Sequence, residues 1–255
     1  MKFGTGYLPD PKDTRDKDIS LLLSAGAPGD PIDLSKYLPP AYNQGRTSSC
    51  VGQSGSGAIY TRWGAMGYTD LRIPSASWLY SIGRMTHRSA TSDKGAYIRG
   101  MCKAARQFGI CPDDEMPFSV GQINEYPEPS AFRAAYDQKS VGGYYRIYDA
   151  GEKRIEAIKT ALDRGYPVVY GLQIDESWYD YSAGEVLDVP DVSIGGHATF
   201  LYDYASADGG IFFGQNSWGS RWGDSGRYRI KQEALAGNAA RDIWAIDTVP
   251  EDSGT

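Results

Sequence analysis

The sequence predicts an α+β fold of two lobes with a cleft between them. Apolar residues recur at helical spacing in the first half of the chain, and short apolar runs typical of strands follow beyond residue 120. With 255 residues, the chain is long enough to bury one large core or two lobes that share an interface. We therefore expect an extended leader at 1–40, a helical lobe at 41–120, a β-rich lobe at 121–250 and a tail at 251–255.

The leader is rich in proline, aspartate and lysine and carries little hydrophobic periodicity. Its prolines exclude a long helix, and they are Pro9, Pro11, Pro28, Pro31, Pro39 and Pro40. Such a segment either packs along the surface, which is the simpler interpretation, or lies across a functional groove. In the second case it would restrain activity until it is cut or displaced.

The first long helix is predicted to begin near Cys50, directly after a polar turn rich in glycine and serine. Ser48 or Ser49 would cap it, which places the Cys50 thiol in or next to the first turn. Free N–H groups and the helix dipole lower the pKa of a thiol there, although a lone cysteine is more often an inert buried residue. The apolar face of this helix comprises Val51, Ala58, Ile59, Trp63 and Met66. Its small residues imply that other backbone packs closely against it: Gly52, Gly55 and Gly57.

Two further helices are predicted in the first half, at 75–82 and at 95–108, and Gly109 ends the second of them. Cys102 falls on the apolar face of that helix and Cys111 precedes a proline, so we interpret both as structural residues. The elements predicted in the second half are strands at 141–148, 168–174, 198–204, 211–215, 227–230 and 243–248, with a helix at 155–162.

Polar residues in the second half complete a candidate catalytic set. His197 follows two glycines, which allow close approach of a peptide, and precedes a predicted strand that fixes its ring. Asn216 would orient the His197 ring, while Trp218 shields their hydrogen bond from water. Gln44 would stabilise an oxyanion together with the backbone N–H of Cys50. A thiol, a base, an orienting amide and an oxyanion donor are what nucleophilic acyl chemistry requires.

The composition of the chain excludes several classes of binding partner. The formal net charge of −6 and the pI near 5.0 argue against nucleic acid or an anionic membrane. No secretion signal is visible, and three cysteines are too few for a dense disulfide framework, so we expect a reducing, cytoplasmic location, with non-classical export left open. Cys102, Cys111 and His87 do not match a zinc-ligand spacing, and we expect neither a metal nor a cofactor. We expect a monomer.

Three segments resemble the signature blocks of papain-like cysteine peptidases, the C1 family. They are Asn43-Gln44-Gly45 through Ser49-Cys50, then Gly196-His197-Ala198, then Asn216-Ser217-Trp218-Gly219 with Trp222, Gly223 and Gly226. The resemblance covers roughly 37–248 and implies a helical lobe, an antiparallel, barrel-like β lobe and an active site in the cleft between them. It also implies that the substrate is a protein or peptide.

The resemblance also implies residue roles. Cys50 would be the nucleophile, His197 the general base and acid, Asn216 its orienting partner and Gln44 the oxyanion donor. The substrate-binding residues would be Gly95, Gly171, Gly196, Ala198 and Trp218, of which Gly171 and Ala198 line the main specificity pocket.

The sequence departs from the animal and plant members of the family at three places. Thr47 stands where those enzymes usually have a disulfide cysteine, and Val51 replaces the usual aromatic residue after the nucleophile. The leader is shorter than a lysosomal propeptide, and Gly6-Tyr7-Leu8-Pro9-Asp10 resembles the short leader of bacterial members.

Two alternatives remain open at this level. The same residues would serve acyl or peptide transfer to an amine, because only the acceptor of the acyl group differs. The scaffold could also be retained as a binding or structural protein without catalysis, although Gln44, Cys50, His197 and Asn216 are all in place.

Overall fold

The structure is a computed structural model that describes residues 3–24, 31–87, 90–138, 141–205 and 210–248. It confirms the α+β fold class. The predicted tail at 251–255 lies outside the described residues, and the predicted domain boundaries stay predictions.

Of the eight helices in the described residues, four lie in the first half of the chain and four in the second, where they are interspersed with strands. In chain order they are α1 (Ile19–Leu23), α2 (Cys50–Ala65), α3 (Ala76–Met85), α4 (Ile98–Phe108), α5 (Pro129–Tyr136), α6 (Gly151–Asp163), α7 (Ser177–Asp180) and α8 (Gln232–Ala236), with a 3₁₀ turn at Leu34–Tyr37. α2 begins at Cys50 as predicted, but its N-cap residue Ser49 makes no side-chain capping bond. Ser75 does cap α3, because its hydroxyl accepts from Trp78 N. α4 starts three residues later than predicted and ends at Gly109, whose φ of 91° suits glycine.

Six strands form one antiparallel sheet. They are β1 (Val141–Ile147), β2 (Val168–Ile174), β3 (Gly195–Ala205), β4 (Ile211–Gln215), β5 (Arg227–Lys231) and β6 (Ala240–Thr248), in the order β1-β6-β2-β3-β4-β5. Within the described residues, the edge strands β1 and β5 do not pair with each other, so the barrel-like lobe implied by the resemblance is an open sheet. β3 begins at Gly195, earlier than predicted, because Gly195 and Gly196 pair with Ile174 and Gln173.

Helix α2 lies between the helical layer and the sheet, since it packs against both α3 and β3. Its glycines make these contacts possible. A Cβ at Gly52 would lie 2.4 Å from the Ala76 carbonyl oxygen, and a Cβ at Gly57 would lie 2.4 Å from the Phe200 ring. The predicted close packing against this helix is confirmed, and it sets the start of α2 beside β3.

Residues 3–18 run in extended form along the cleft and then along β1, and we call them the strap. Tyr7 forms a parallel bridge with Ala96, and Asp18 forms one with Arg146. The simpler interpretation of the leader, a segment packed on the surface away from the groove, is therefore wrong for these residues. Within the described ranges, no helix combines the length and apolar character that a membrane span requires.

Candidate active site

The residues before α2 and after β4 are joined to each other, which brings the distant motifs together. Asn43 bridges Trp218, and the Gln44 N–H donates to the Ser217 carbonyl at 2.9 Å. His197 lies at the start of β3, next to the beginning of α2. Two loops and one strand thus place the four predicted catalytic residues around one point.

The His197 ring is oriented by Asn216. The distance from His197 Nε2 to Asn216 Oδ1 is 2.7 Å, and the same Oδ1 accepts from the Ser217 N–H at 2.7 Å. Because that backbone donor fixes Oδ1 as an acceptor, Nε2 must carry the proton of the neutral ring. Nδ1 is then the basic nitrogen, and it is buried without a hydrogen-bond partner among the described residues. This arrangement leaves Nδ1 ready to take a proton.

Two indoles enclose the His197 ring. The ring centroid of Trp218 lies 4.8 Å from that of His197, and the centroid of Trp178 lies 5.8 Å away at an interplanar angle of 71°. Both indoles are buried, which keeps water from the hydrogen bond to Asn216. Burial lowers the pKa of His197 to about 4, and the hydrogen bond that its Nε2–H donates to Asn216 opposes this shift.

Cys50 is fully buried, close to the residue that follows His197. Backbone N–H groups of Ala198, Gly6 and Val51 act on it. Burial nevertheless raises the pKa of the Cys50 thiol to about 12, and these N–H groups only oppose the rise. The expectation that the helix start lowers this pKa is wrong for the strapped state, because loss of solvent outweighs the dipole. The pair is therefore neutral while the strap covers it.

Gln44 is held with its amide facing the strap. Its Oε1 accepts from Ser217 Oγ at 2.5 Å, so Nε2 is the donor end, and it donates to Gly4 O at 3.0 Å and Thr47 O at 2.8 Å. The donor predicted for the oxyanion thus holds a carbonyl of the strap. Thr47 also donates from Oγ1 to Gln44 O at 2.8 Å. This hydrogen bond holds the loop at the position where the animal and plant members of the family usually have a disulfide cysteine.

The strap passes over this site through glycines. A Cβ at Gly4 would lie 2.0 Å from Thr47 O, and one at Gly6 would lie 2.0 Å from Ser48 O. Contacts this short against backbone exclude a side chain at either position. The strap backbone is fixed by bonds from the Gly6 and Tyr7 N–H groups to Gly196 O, both 3.0 Å long.

The predicted substrate-binding residues all lie near the strap or the His197 ring. A Cβ at Gly95 would lie 2.2 Å from Gly6 O, one at Gly171 would lie 2.2 Å from the Tyr7 ring, and one at Gly196 would lie 2.6 Å from Tyr7 O. Ala198 pairs with Gly171 between β3 and β2 and is fully buried. Trp218 stacks on Phe3 of the strap at 5.1 Å and 6°.

Sequence reasoning missed several residues that shape the site. Ala96, rather than Gly95, exchanges backbone bonds with the strap, accepting from Leu8 N at 3.0 Å and donating to Gly6 O at 2.9 Å. Trp178 could have been suspected from its place beside Tyr179 in a polar stretch, but Asp242 gave no local signal. Within the described ranges, no group of three or more His, Cys, Asp or Glu side chains is placed to hold a metal ion.

Comparison with known proteins agrees with this geometry. The sequence model described as papain family cysteine protease matches residues 30–243. An uncharacterised peptidase C1-like protein of Acanthamoeba polyphaga mimivirus is 32% identical over 189 residues, which are 70% of this chain and 60% of the viral protein. A cathepsin B-like cysteine proteinase of Caenorhabditis elegans is 29% identical over 121 residues, or 47% of this chain and 34% of the worm protein. The chain thus spans less than two thirds of either curated relative.

Among solved structures, xylellain, a cysteine protease from Xylella fastidiosa, superposes with a TM-score of 0.77 at 27% identity. The match covers 98% of this chain and 97% of xylellain. Fold and site define an α+β scaffold that is similar to that of xylellain. The chain belongs to the papain family of cysteine proteases, a family that acts on peptides.

Proposed function

We propose that this chain is a cysteine peptidase that hydrolyses peptide bonds through a covalent acyl-enzyme on Cys50. The observation that carries the proposal is the orientation of His197. The N–H of the next residue, Ala198, acts on Cys50 at the start of α2, while the Nε2–H of His197 is held by Asn216 and its Nδ1 is buried without a hydrogen-bond partner among the described residues. That is the tautomer a base needs to accept the thiol proton.

The proposed reaction uses only residues of this chain. The Cys50 proton moves to His197 Nδ1, and the thiolate attacks the carbonyl carbon of a peptide bond. Gln44 Nε2 and the Cys50 N–H stabilise the oxyanion, and the imidazolium then gives its proton to the leaving amine. Water, deprotonated by neutral His197, hydrolyses the thioester and regenerates the thiol.

Peptide cleavage by the wild-type chain and by Cys50→Ala tests this proposal. Mass spectrometry of a diverse peptide pool should show new termini with the wild type and none with the variant. Equal cleavage by both chains would remove Cys50 from the reaction. Alkylation of Cys50 by iodoacetamide at mildly acidic pH gives a second readout in a chain that begins at Leu34 and lacks the strap, because only an activated thiolate reacts there. Amine adducts at the new ends would assign acyl transfer instead.

We also propose that the strap holds the enzyme inactive until it is displaced. Its support is that the strap fills the groove: Gln44 Nε2 binds Gly4 O, and Cys50 and His197 are each fully buried. A peptide cannot reach the thiol in this state. A chain that begins at Leu34 should fold and cleave faster than the full chain. A folded short chain with no gain in activity would refute this restraint.

We further propose that the protein is a monomer that does not bind nucleic acid and works in the cytoplasm. The net charge of −6 supports the absence of nucleic-acid binding. Cys50, Cys102 and Cys111 are free thiols, which supports a reducing compartment. Light scattering of the purified chain tests the monomer, and cell fractionation tests the location.

A further inference from the structure

A pocket beside the thiol is filled by the Tyr7 side chain. Its wall is made of backbone, since a Cβ at Gly171 would lie 2.2 Å from Tyr7 Cζ and one at Gly196 would lie 3.1 Å from Tyr7 Cδ1. Tyr7 is 4% exposed, so the pocket encloses the whole ring. Tyr7 of the strap therefore shows what size of side chain fits this pocket, namely one six-membered aromatic ring with a hydroxyl at its tip.

The tip of the ring meets Asp242, whose backbone is unusual. The pairing of β2 with β6 slips between Val169 and Gly171, where they oppose Trp244 and Arg241, so β6 carries one extra residue. Asp242 lies in this bulge with φ of 48°, a left-handed conformation rare for residues other than glycine. Bulges of this kind redirect a side chain next to functional sites. Here the bulge brings the carboxylate to the end of the pocket.

The two oxygens of Asp242 have different partners. Oδ2 accepts from the Tyr7 hydroxyl and from the Asp10 N–H, the latter at 2.6 Å, while Oδ1 pairs with Arg146. The carboxylate side chain is only 3% exposed. Both donors to Oδ2 belong to the strap, whereas Arg146 belongs to β1. When the strap leaves, Oδ2 loses both donors at the end of the emptied pocket, and a ligand that fills the pocket without supplying a donor would bury this oxygen unpaired.

The charges around the pocket favour a neutral donor over a cation. Arg146 already neutralises Asp242, and Arg241 lies close enough to act on the Tyr7 hydroxyl. Asp10 also acts on this hydroxyl, and Asp16 pairs with Arg146 at 3.2 Å, but both aspartates leave with the strap. Asp242 would then keep its ion pair with Arg146, and the exposed Arg241 would add a weaker positive charge nearby. An arginine or lysine side chain would be repelled there, whereas a phenol would not.

We propose that Asp242 makes this pocket selective for a tyrosine side chain of the peptide substrate, a specificity that rests on the proposed peptidase function. The phenol would enter along Gly171 and Gly196 and donate its O–H to Asp242 Oδ2, as Tyr7 does in the strap. Phenylalanine would fill the same space and leave the carboxylate oxygen without its donor. A hydrogen bond to a charged group of this kind corresponds to about a 10- to 100-fold preference for tyrosine over phenylalanine.

Cleavage of a diverse peptide pool by the full chain measures this preference directly. Tyrosine should exceed phenylalanine by about 10- to 100-fold at one position relative to the cut. The Asp242→Gly chain, in which glycine suits the left-handed backbone, should cut at tyrosine and phenylalanine about equally. A wild type that prefers phenylalanine, leucine or arginine at every position, or a variant that keeps the tyrosine preference, overturns the proposal.

A second experiment examines the same recognition without requiring hydrolysis. The rate of Cys50 alkylation in the full chain reports how often the strap leaves the groove. Tyr7→Phe should raise this rate about 10-fold or more, because the strap loses its bond to Asp242. In the Asp242→Gly background, Tyr7→Phe should add little further change. Tyr126→Phe, at a tyrosine that is 53% exposed, is the matched control and should leave the rate unchanged.

The two experiments test the assignment of Asp242 and the proposed peptidase activity separately. If the alkylation cycle shows coupling between Tyr7 and Asp242 but no peptide is cut, even by a folded chain that begins at Leu34, the pocket recognises the phenol and the peptidase proposal fails. If peptides are cut and Tyr7→Phe leaves the alkylation rate unchanged in both backgrounds, the assignment of Asp242 is overturned and the peptidase stands.

Discussion

Replacing Gly6 by alanine should release the strap from the groove. The Cβ of alanine would lie 2.0 Å from Ser48 O and 2.6 Å from Ser48 Cα, and backbone on both sides cannot move out of the way. The strap would have to lift, and the bonds Gly6 N to Gly196 O, Tyr7 N to Gly196 O and Ala96 N to Gly6 O would break. At about 0.5–1.5 kcal/mol each, their loss weakens closure by about 1.5–4.5 kcal/mol.

The assay is alkylation of Cys50 by iodoacetamide in the full chain at neutral pH, with the modified residue located by mass spectrometry. A loss of closure of that size should raise the rate by roughly 10- to 1000-fold. Gly121→Ala is the matched control, because its Cβ would meet only the Ser119 hydroxyl at 3.9 Å. An unchanged rate in Gly6→Ala, with the control also unchanged, would refute the reasoning that the strap blocks the thiol.

Three further predictions concern single side chains. Gln44→Ala should lower turnover by about 10²–10³-fold with little change in KM in the strap-free chain, since it removes one oxyanion donor. Asn216→Ala should lower kcat by about 10- to 100-fold, because the two indoles still hold the His197 ring while its tautomer is no longer fixed. Burial raises the pKa of Asp10 to about 7, and the Asp242 carboxylate adds to the rise, so closing the strap takes up a proton. Closure of the strap should therefore be tightest below about pH 4 and should weaken as the pH rises through about 7. The measurement is the alkylation rate of Cys50 in the wild-type chain divided by the rate in the Asp10→Asn chain, and this ratio should increase over that pH range.

Local sequence was enough to place the predicted catalytic residues in the fold. Cys50 follows a polar turn and starts a helix, while His197 and Asn216 each stand at a strand end next to glycine or tryptophan, so their surroundings follow from nearby residues. The start of β3 was predicted too late, because two glycines weaken strand propensity while pairing with β2 overrides it. The short helices α5, α7 and α8 carry too few residues for a periodic signal.

The features that the sequence did not predict depend on packing between residues that are far apart in the chain. Extended, proline-rich composition does not distinguish a surface segment from one in a groove, and only the contacts of Gly4 and Gly6 with the residues before α2 decide between them. The direction of the Cys50 pKa shift also reversed, because burial under the strap outweighs the helix start. The position of Asp242 results from a register shift between β2 and β6, and no local sequence pattern predicts that shift.

The account depends on a thiolate that His197 stabilises once the strap has lifted. The most direct measurement is the alkylation rate of Cys50 between about pH 4 and 9 in the Gly6→Ala chain, compared with the same chain carrying His197→Ala. We expect the first chain to react well below pH 7 and the second to follow an ordinary thiol with a midpoint near about 8.5. Coincident profiles, both with the midpoint of a free thiol, would contradict the account.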